Sequence, residues 1–169
     1  MKELILGGAR SGKSGFAEQK ASDAGLDVVY IATAQAFDSE MNARITRHQN
    51  DRPSHWLTVE EPIYLAQTII DNAKDSRVIL VDCLTLWLSN LLCLDNEIVF
   101  EEQKQALLNA LSSVPGQLIM VSNEVGQGIV PDNRLARRFI DEAGWLHQAL
   151  AEQCEQVTFV TAGIAQRLK

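Results

Sequence analysis

Apolar residues recur along this chain in two alternating rhythms. Continuous runs at Leu4-Ile5-Leu6, Val28-Val29-Tyr30-Ile31-Ala32, Val78-Ile79-Leu80-Val81, Leu118-Ile119-Met120-Val121 and Val157-Thr158-Phe159-Val160 predict strands buried on both faces. Between them the apolar positions take helical spacing. Ala17, Ala21 and Ala24 form one stripe, and Gly25 stops it. Asp38 or Ser39 caps a helix that must end before Pro53. Pro62 suits the first turn of another, with Ile63, Ala66, Ile70 and Ala73 along one face. A helix around Phe100 to Leu111 stops before the Pro115-Gly116 turn, and a long amphipathic helix carries Leu135, Phe139, Ala143, Leu146 and Leu150. Strands alternating with helices predict an α/β fold of three layers, its central sheet mainly parallel with at least five strands. No repeat, low-complexity tract or linker interrupts the pattern, so residues 1–169 are expected to form one domain.

The first apolar run leads directly into Gly7-Gly8-Ala9-Arg10-Ser11-Gly12-Lys13-Ser14, a phosphate-binding P-loop between a strand and a helix. Gly7, Gly8 and Gly12 are expected to permit turns that a Cβ would block, so that successive N–H groups face phosphate oxygens. The helix that opens after Gly12 adds the positive end of its dipole. Lys13 is placed for the β- and γ-phosphates, and the Ser14 hydroxyl for Mg²⁺. These features predict a three-layer fold of the P-loop NTPase type that handles a nucleoside triphosphate.

Composition narrows the partners. A net charge of −7 argues against nucleic acid and anionic membranes, both of which attract basic surfaces. Cys83, Cys93 and Cys154 are odd in number and contain no Cys-x-x-Cys pair, which fits buried thiols in a reducing cytoplasm. A strand starting within a few residues of Met1 leaves no room for a signal peptide, so a cytoplasmic location is expected. The most apolar stretch, Leu84 to Leu94, is interrupted by Ser89 and Asn90 and is too short to span a bilayer.

Ligands of open parallel sheets bind at the carboxyl ends of the strands. Those positions hold the P-loop, then Thr33-Ala34-Gln35, then Asp82, then Asn123-Glu124. Asp82, after four apolar residues, is a Walker-B arrangement that can orient Mg²⁺ directly or through water. His48 follows Met41 and Ile45 on the apolar stripe of its helix, the placement of a hydrogen-bonded core histidine. Arg44, Arg47 and Arg52 cluster around it, and guanidinium groups are preferred partners of phosphate oxygens. A neutral imidazole beside a triphosphate is equally a competent nucleophile toward phosphorus, so both readings of His48 stand.

These segments resemble the bifunctional adenosylcobinamide kinase/adenosylcobinamide-phosphate guanylyltransferases of cobalamin biosynthesis. The resemblance rests on the P-loop, Tyr-Ile-Ala-Thr-Ala-Gln at 30–35, Glu-Met-x-x-Arg-Ile-x-x-His at 40–48 and Arg-Pro-x-x-Trp at 52–56. It continues through Val-Asp-Cys-Leu-Thr-Leu-Trp-Leu-Ser-Asn at 81–90, Asn-Glu-Val-Gly-x-Gly-Ile-Val-Pro at 123–131 and Asn-Arg-Leu-Ala-Arg-x-Phe at 133–139. It implies a P-loop enzyme, often trimeric, with ATP or GTP as substrates and Mg²⁺ as cofactor. One activity phosphorylates the aminopropanol hydroxyl of adenosylcobinamide; the other moves GMP from GTP onto that phosphate through a guanylylated histidine, which aligns with His48. By the same resemblance Gly7, Gly8, Ala9, Arg10, Ser11, Gly12, Lys13 and Ser14 hold phosphates. Thr33, Ala34, Gln35, Gln49, Asn50, Asp51, Arg52, Glu60 and Asp82 are implied to contact the nucleotide. His147 replaces the asparagine usual in the family, and Ala165-Gln166 replace a proline-containing ending; neither is expected to touch the phosphate chemistry. The rival readings are a small-molecule P-loop kinase without guanylyl transfer, and a regulatory switch, which the lack of an Asn-Lys-x-Asp motif disfavours.

Overall fold

Each of the five apolar runs is a strand in the computed structural model, which describes residues 1–35 and 53–169. The strands are β1 (Lys2–Gly7), β2 (Asp27–Ala32), β3 (Leu57–Glu60), β4 (Arg77–Asp82), β5 (Gln117–Asn123), β6 (Gln156–Thr161) and β7 (Ile164–Arg167). The helices are α1 (Lys13–Asp23), α2 (Leu65–Asn72), α3 (Leu84–Cys93), α4 (Glu97–Leu111) and α5 (Arg134–Gln153). They form one sheet of order β3-β2-β4-β5-β1-β6-β7, in which every neighbouring pair is parallel except the β6–β7 hairpin.

Alternation along each strand divides the core into two layers. Ile5, Tyr30, Val78, Leu80, Ile119 and Val121 pack on one face with Ala17 and Ala21 of α1. Leu4, Leu6, Ile31, Ile79, Val81, Leu118 and Met120 pack on the other with side chains of α2, α3, α4 and α5. The three-layer α/β expectation therefore holds, with seven strands among the described residues rather than the minimum of five.

Several local expectations change. The helix placed at Pro62 begins only at Leu65, because the Glu61 carboxylate accepts the Ile63 and Tyr64 N–H groups at 2.8 Å each and holds a turn there. The buried face of α2 is consequently Leu65, Ala66 and Ile69, while Ile70 is 48 % exposed. The stretch 84–93 is a helix of its own, α3, apolar on most sides because six of its ten residues are buried. Strands β3 and β7 were not expected: both lie at sheet edges, where no continuous apolar run is required. Leu135 at the start of α5 is exposed, and Cys93 is exposed while Cys83 and Cys154 are buried free thiols. The helix expected after Asp38 or Ser39 falls outside the described residues.

One charged pair anchors the amino end of the sheet. The Glu3 side chain is fully buried, receives the Thr158 hydroxyl at 2.8 Å and is ion-paired to Lys20 of α1. Removing the cation would strand a buried carboxylate. Lys20→Met is expected to lower unfolding free energy by about 2 kcal/mol in urea titration, and adding Glu3→Gln to recover part of that loss.

A candidate nucleotide site at the carboxyl edge of the sheet

Parallel pairing brings the carboxyl ends of β1 to β5 to one edge. Ala32 pairs with both Asp82 and Glu60, Asp82 with Val121, and Gly7 with Asn123. The P-loop, Thr33–Gln35, Glu60, Asp82 and Asn123–Glu124 thus share an edge. Strand β5 lies between the P-loop strand β1 and the Asp82 strand β4.

The P-loop takes its shape from close packing. A Cβ on Gly7 would meet the Val160 carbonyl oxygen at 2.5 Å and Ser11 Oγ at 2.6 Å. Gly12 has φ +95°, and a Cβ there would meet Gly163 Cα at 3.2 Å. Gly8 is different: a Cβ would meet nothing within 4 Å, so the expected steric need for glycine holds at Gly7 and Gly12 but not at Gly8. Arg10 adopts φ +56°, a left-handed conformation unusual for a side-chain-bearing residue. The β6–β7 turn, with Ala162 at φ 52° and Gly163 at φ 77°, braces this loop through the Gly163 N–H, which donates to the Ser11 carbonyl at 2.8 Å.

Lys13 is only 9 % exposed, and its ammonium donates to the Gly8 carbonyl at 3.3 Å. It makes no ion pair among the described residues, although buried ammonium groups ordinarily require an anionic partner. The α1 N-terminus has no side-chain cap at Gly12, so its first N–H groups are also without a side-chain acceptor at that position. Both features suit a bound phosphate.

Asp82 is held rather than merely exposed at a strand end. Its Oδ2 accepts the Tyr30 hydroxyl at 3.0 Å. Cys83, not Asp82, precedes α3 as its cap residue. Thr33 fixes the same junction: its hydroxyl donates to the Cys83 carbonyl at 2.8 Å and accepts the Cys83 N–H at 2.9 Å. Asn90 of α3 donates to the Thr33 carbonyl at 2.8 Å. Thr33 is fully buried, and its side chain ties the end of β2 to the end of β4, while Ala34 and Gln35 beside it are partly exposed.

A second carboxylate stands between the two motifs. The Glu124 N–H donates to the Gly7 carbonyl at 3.1 Å, and its Oε1 accepts the Gly126 N–H at 2.6 Å. Its Oε2 lies 4.0 Å from His147 Nδ1, while Ser122 Oγ is 2.7 Å from His147 Nε2. Burial lowers the His147 pKa from the ordinary 6.5, partly opposed by Glu124, so the imidazole is neutral at neutral pH. α5 carries His147, which is expected to stand apart from the phosphate chemistry, to the Glu124 carboxylate next to the P-loop. Sequence reasoning put Glu124 at a strand end without giving it a role, although its position after an apolar strand repeats that of Asp82.

Residues 3–168 match the family model described as cobinamide kinase / cobinamide phosphate guanyltransferase. The chain belongs to this family. It is 56 % identical over 169 residues to the bifunctional adenosylcobalamin biosynthesis protein CobP of Pseudomonas aeruginosa, covering 100 % of this chain and 98 % of that one. It is 41 % identical to the bifunctional adenosylcobalamin biosynthesis protein CobU of Salmonella typhimurium, and 40 % identical to that of Escherichia coli, with complete coverage on both sides. A solved RadB recombinase overlaps 94 % of this chain and 73 % of its own at TM-score 0.48 and 15 % identity, too distant to bear on function.

The structure therefore gathers the P-loop, Thr33–Gln35, Glu60 and Asp82 of this family member on one edge. His48, Gln49, Asn50, Asp51 and Arg52, together with Arg44 and Arg47, fall outside the described residues. Tyr30, Asn90 and Gly163 are supporting residues to which sequence reasoning gave no role, although Tyr30 and Asn90 lie in the segments at 30–35 and 81–90 and Gly163 is a glycine in a short turn. The glycine geometry makes a clean contrast. Gly7→Ala is expected to lower Tm by several degrees and weaken nucleotide binding at least tenfold in calorimetry, because backbone would have to move. Gly8→Ala should leave Tm unchanged.

Proposed function

We propose that this chain is a two-step transferase of cobalamin biosynthesis, acting as one domain over residues 1–169. It phosphorylates the aminopropanol hydroxyl of adenosylcobinamide with ATP or GTP, then transfers GMP from GTP to that phosphate, giving adenosylcobinamide-GDP. The observation that carries the reading is the family match over nearly the whole chain, set on a P-loop whose buried lysine has no ion-pair partner among the described residues. In the first step the hydroxyl oxygen attacks Pγ, and the bond to the β–γ bridging oxygen breaks to release nucleoside diphosphate. In the second, His48 attacks Pα and releases pyrophosphate; the corrinoid phosphate then takes GMP from the histidine.

Both displacements build charge on phosphates that Gly7 to Ser14 are placed to surround. Lys13 and the N-terminal N–H groups of α1 stabilise that charge in either step. In this proposal Thr33, Ala34, Gln35, Glu60 and Asp82 complete the nucleotide contacts on the described edge, joined by Gln49 to Arg52. Ser14 and Asp82 offer a hydroxyl and a carboxylate, hard oxygen donors that fit Mg²⁺. Among the described residues no three His, Cys, Asp or Glu side chains converge as a cage, so these donors would hold Mg²⁺ together with phosphate oxygens. Bound there, Mg²⁺ would neutralise charge on the polyphosphate. No helix of the described residues is long and apolar enough to cross a membrane, and a cytoplasmic homotrimer is the assembly we infer from the family.

With GTP labelled in its α-phosphate, the protein is expected to retain label and release pyrophosphate, and the adduct should be lost in acid and survive in base. His48→Ala should abolish labelling and guanylyl transfer while kinase turnover persists. Uptake of α-label by this variant would move the nucleophile to His55 or His147, and a wild-type protein that takes no α-label but phosphorylates the corrinoid would be a kinase only. Lys13→Ala should slow both reactions by roughly 10² or more without unfolding the chain. Asp82→Asn should raise the magnesium concentration needed for half-maximal rate in both assays.

A further inference from the structure

The two steps make different demands on protons. The acceptor in the first is a neutral hydroxyl, which must lose its proton as its oxygen bonds to Pγ. The acceptor in the second is a phosphate, already anionic, and the nucleophile that takes up GMP is an imidazole. Only the kinase step needs a base at the acceptor, and Asp82 is poorly suited to that work, being engaged by Tyr30.

The carboxylate between β1 and β4 meets the requirement. Glu124 follows β5, its main chain is bonded to the first P-loop residue, and the neighbouring pairings place Gly7 and Asp82 on either side. Its Oε1 is fixed by the Gly126 N–H, and a Cβ on Gly126 would crowd that oxygen at 3.0 Å. Oε2 accepts no hydrogen bond among the described residues, and the side chain is 22 % exposed, so one oxygen is oriented and the other can receive a proton. Beside it, Asn123 Oδ1 is buried with no hydrogen-bond partner among the described residues, a second acceptor available to a hydroxyl donor.

We propose that Glu124 is the base of the phosphoryl-transfer step, with His147 as the residue that positions it. The hydroxyl oxygen bonds to Pγ, the electron pair of the breaking P–O bond leaves with the nucleoside diphosphate, and the hydroxyl proton passes to Glu124 Oε2 and then to solvent. His147 backs the carboxylate at 4.0 Å, its own ring held through Ser122 on β5. Because that imidazole is neutral at neutral pH, it confines Oε2 without pairing away its charge.

The inference rests on the proposed two-step activity, and the assays separate the two. Glu124→Gln is expected to slow formation of adenosylcobinamide phosphate by roughly 10² to 10³ in kcat with little change in KM. Labelling by α-labelled GTP, and GMP transfer to pre-phosphorylated acceptor, should stay within about threefold of wild type. Glu124→Asp retains the charge but withdraws it by one methylene, so it should show a smaller but selective kinase loss if the Gln variant folds poorly. His147→Leu should lower kinase kcat about tenfold, and His147→Asn, which restores an N–H near the Nδ1 position, should recover it. Kinase rates within threefold of wild type in folded Glu124→Gln, or an equal loss of all three activities, would overturn the assignment. Failure of the wild-type protein to phosphorylate adenosylcobinamide would instead reject the activity on which it rests.

Discussion

Parallel alignment of β3, β2, β4, β5, β1 and β6 is the constraint on which the rest of the molecule depends. The backbone groups of the interior strands β2, β4, β5, β1 and β6 must find their partners in neighbouring strands, and none of these strands can slide without breaking bonds that water does not replace. The register therefore fixes the relative heights of Gly7, Ala32, Asp82 and Asn123. Residues far apart in sequence become neighbours on one edge because the sheet gives them no other place.

That edge is stabilised by unequal means on its two sides. The P-loop is confined by steric exclusion at Gly7 and Gly12 and by the hairpin tip at Gly163. The Asp82 junction is confined by hydrogen bonds, with Thr33 bonded to both the N–H and the carbonyl of Cys83 and Tyr30 on the carboxylate. Steric confinement leaves the loop N–H groups available for an anion, whereas hydrogen-bond confinement keeps a carboxylate in one orientation. Each device suits the ligand its residues are proposed to meet.

The electrostatics run against the composition. A chain of net charge −7 places a nearly buried ammonium at Lys13, without an ion-pair partner among the described residues, on the same edge as three carboxylates, Glu60, Asp82 and Glu124. An acidic protein can handle polyphosphate because local cations and backbone dipoles act over a few ångströms, inside the range that salt leaves unscreened. In the proposed reactions two of these carboxylates have separate uses, Asp82 as a metal donor and Glu124 toward the acceptor.

The sequence by itself determined the elements with strong local signals. Five apolar runs became strands because parallel strands are buried on both faces, and Gly7-x-x-x-x-Gly12-Lys13-Ser14 became a P-loop because few backbones other than this one tolerate that spacing. It also carried the family, since the motifs lie in order along the chain. Weakly patterned elements were lost: β3 and β7 are edge strands without apolar runs, and α3 is apolar on most sides and so has no helical stripe to read. Only the tertiary structure decided strand order, and with it that β5 separates β1 from β4 and delivers Glu124 between them. It also decided that His147, 23 residues downstream of Glu124, returns on α5 to face it. Order and return depend on which layers pack together, a long-range energy that no local periodicity encodes.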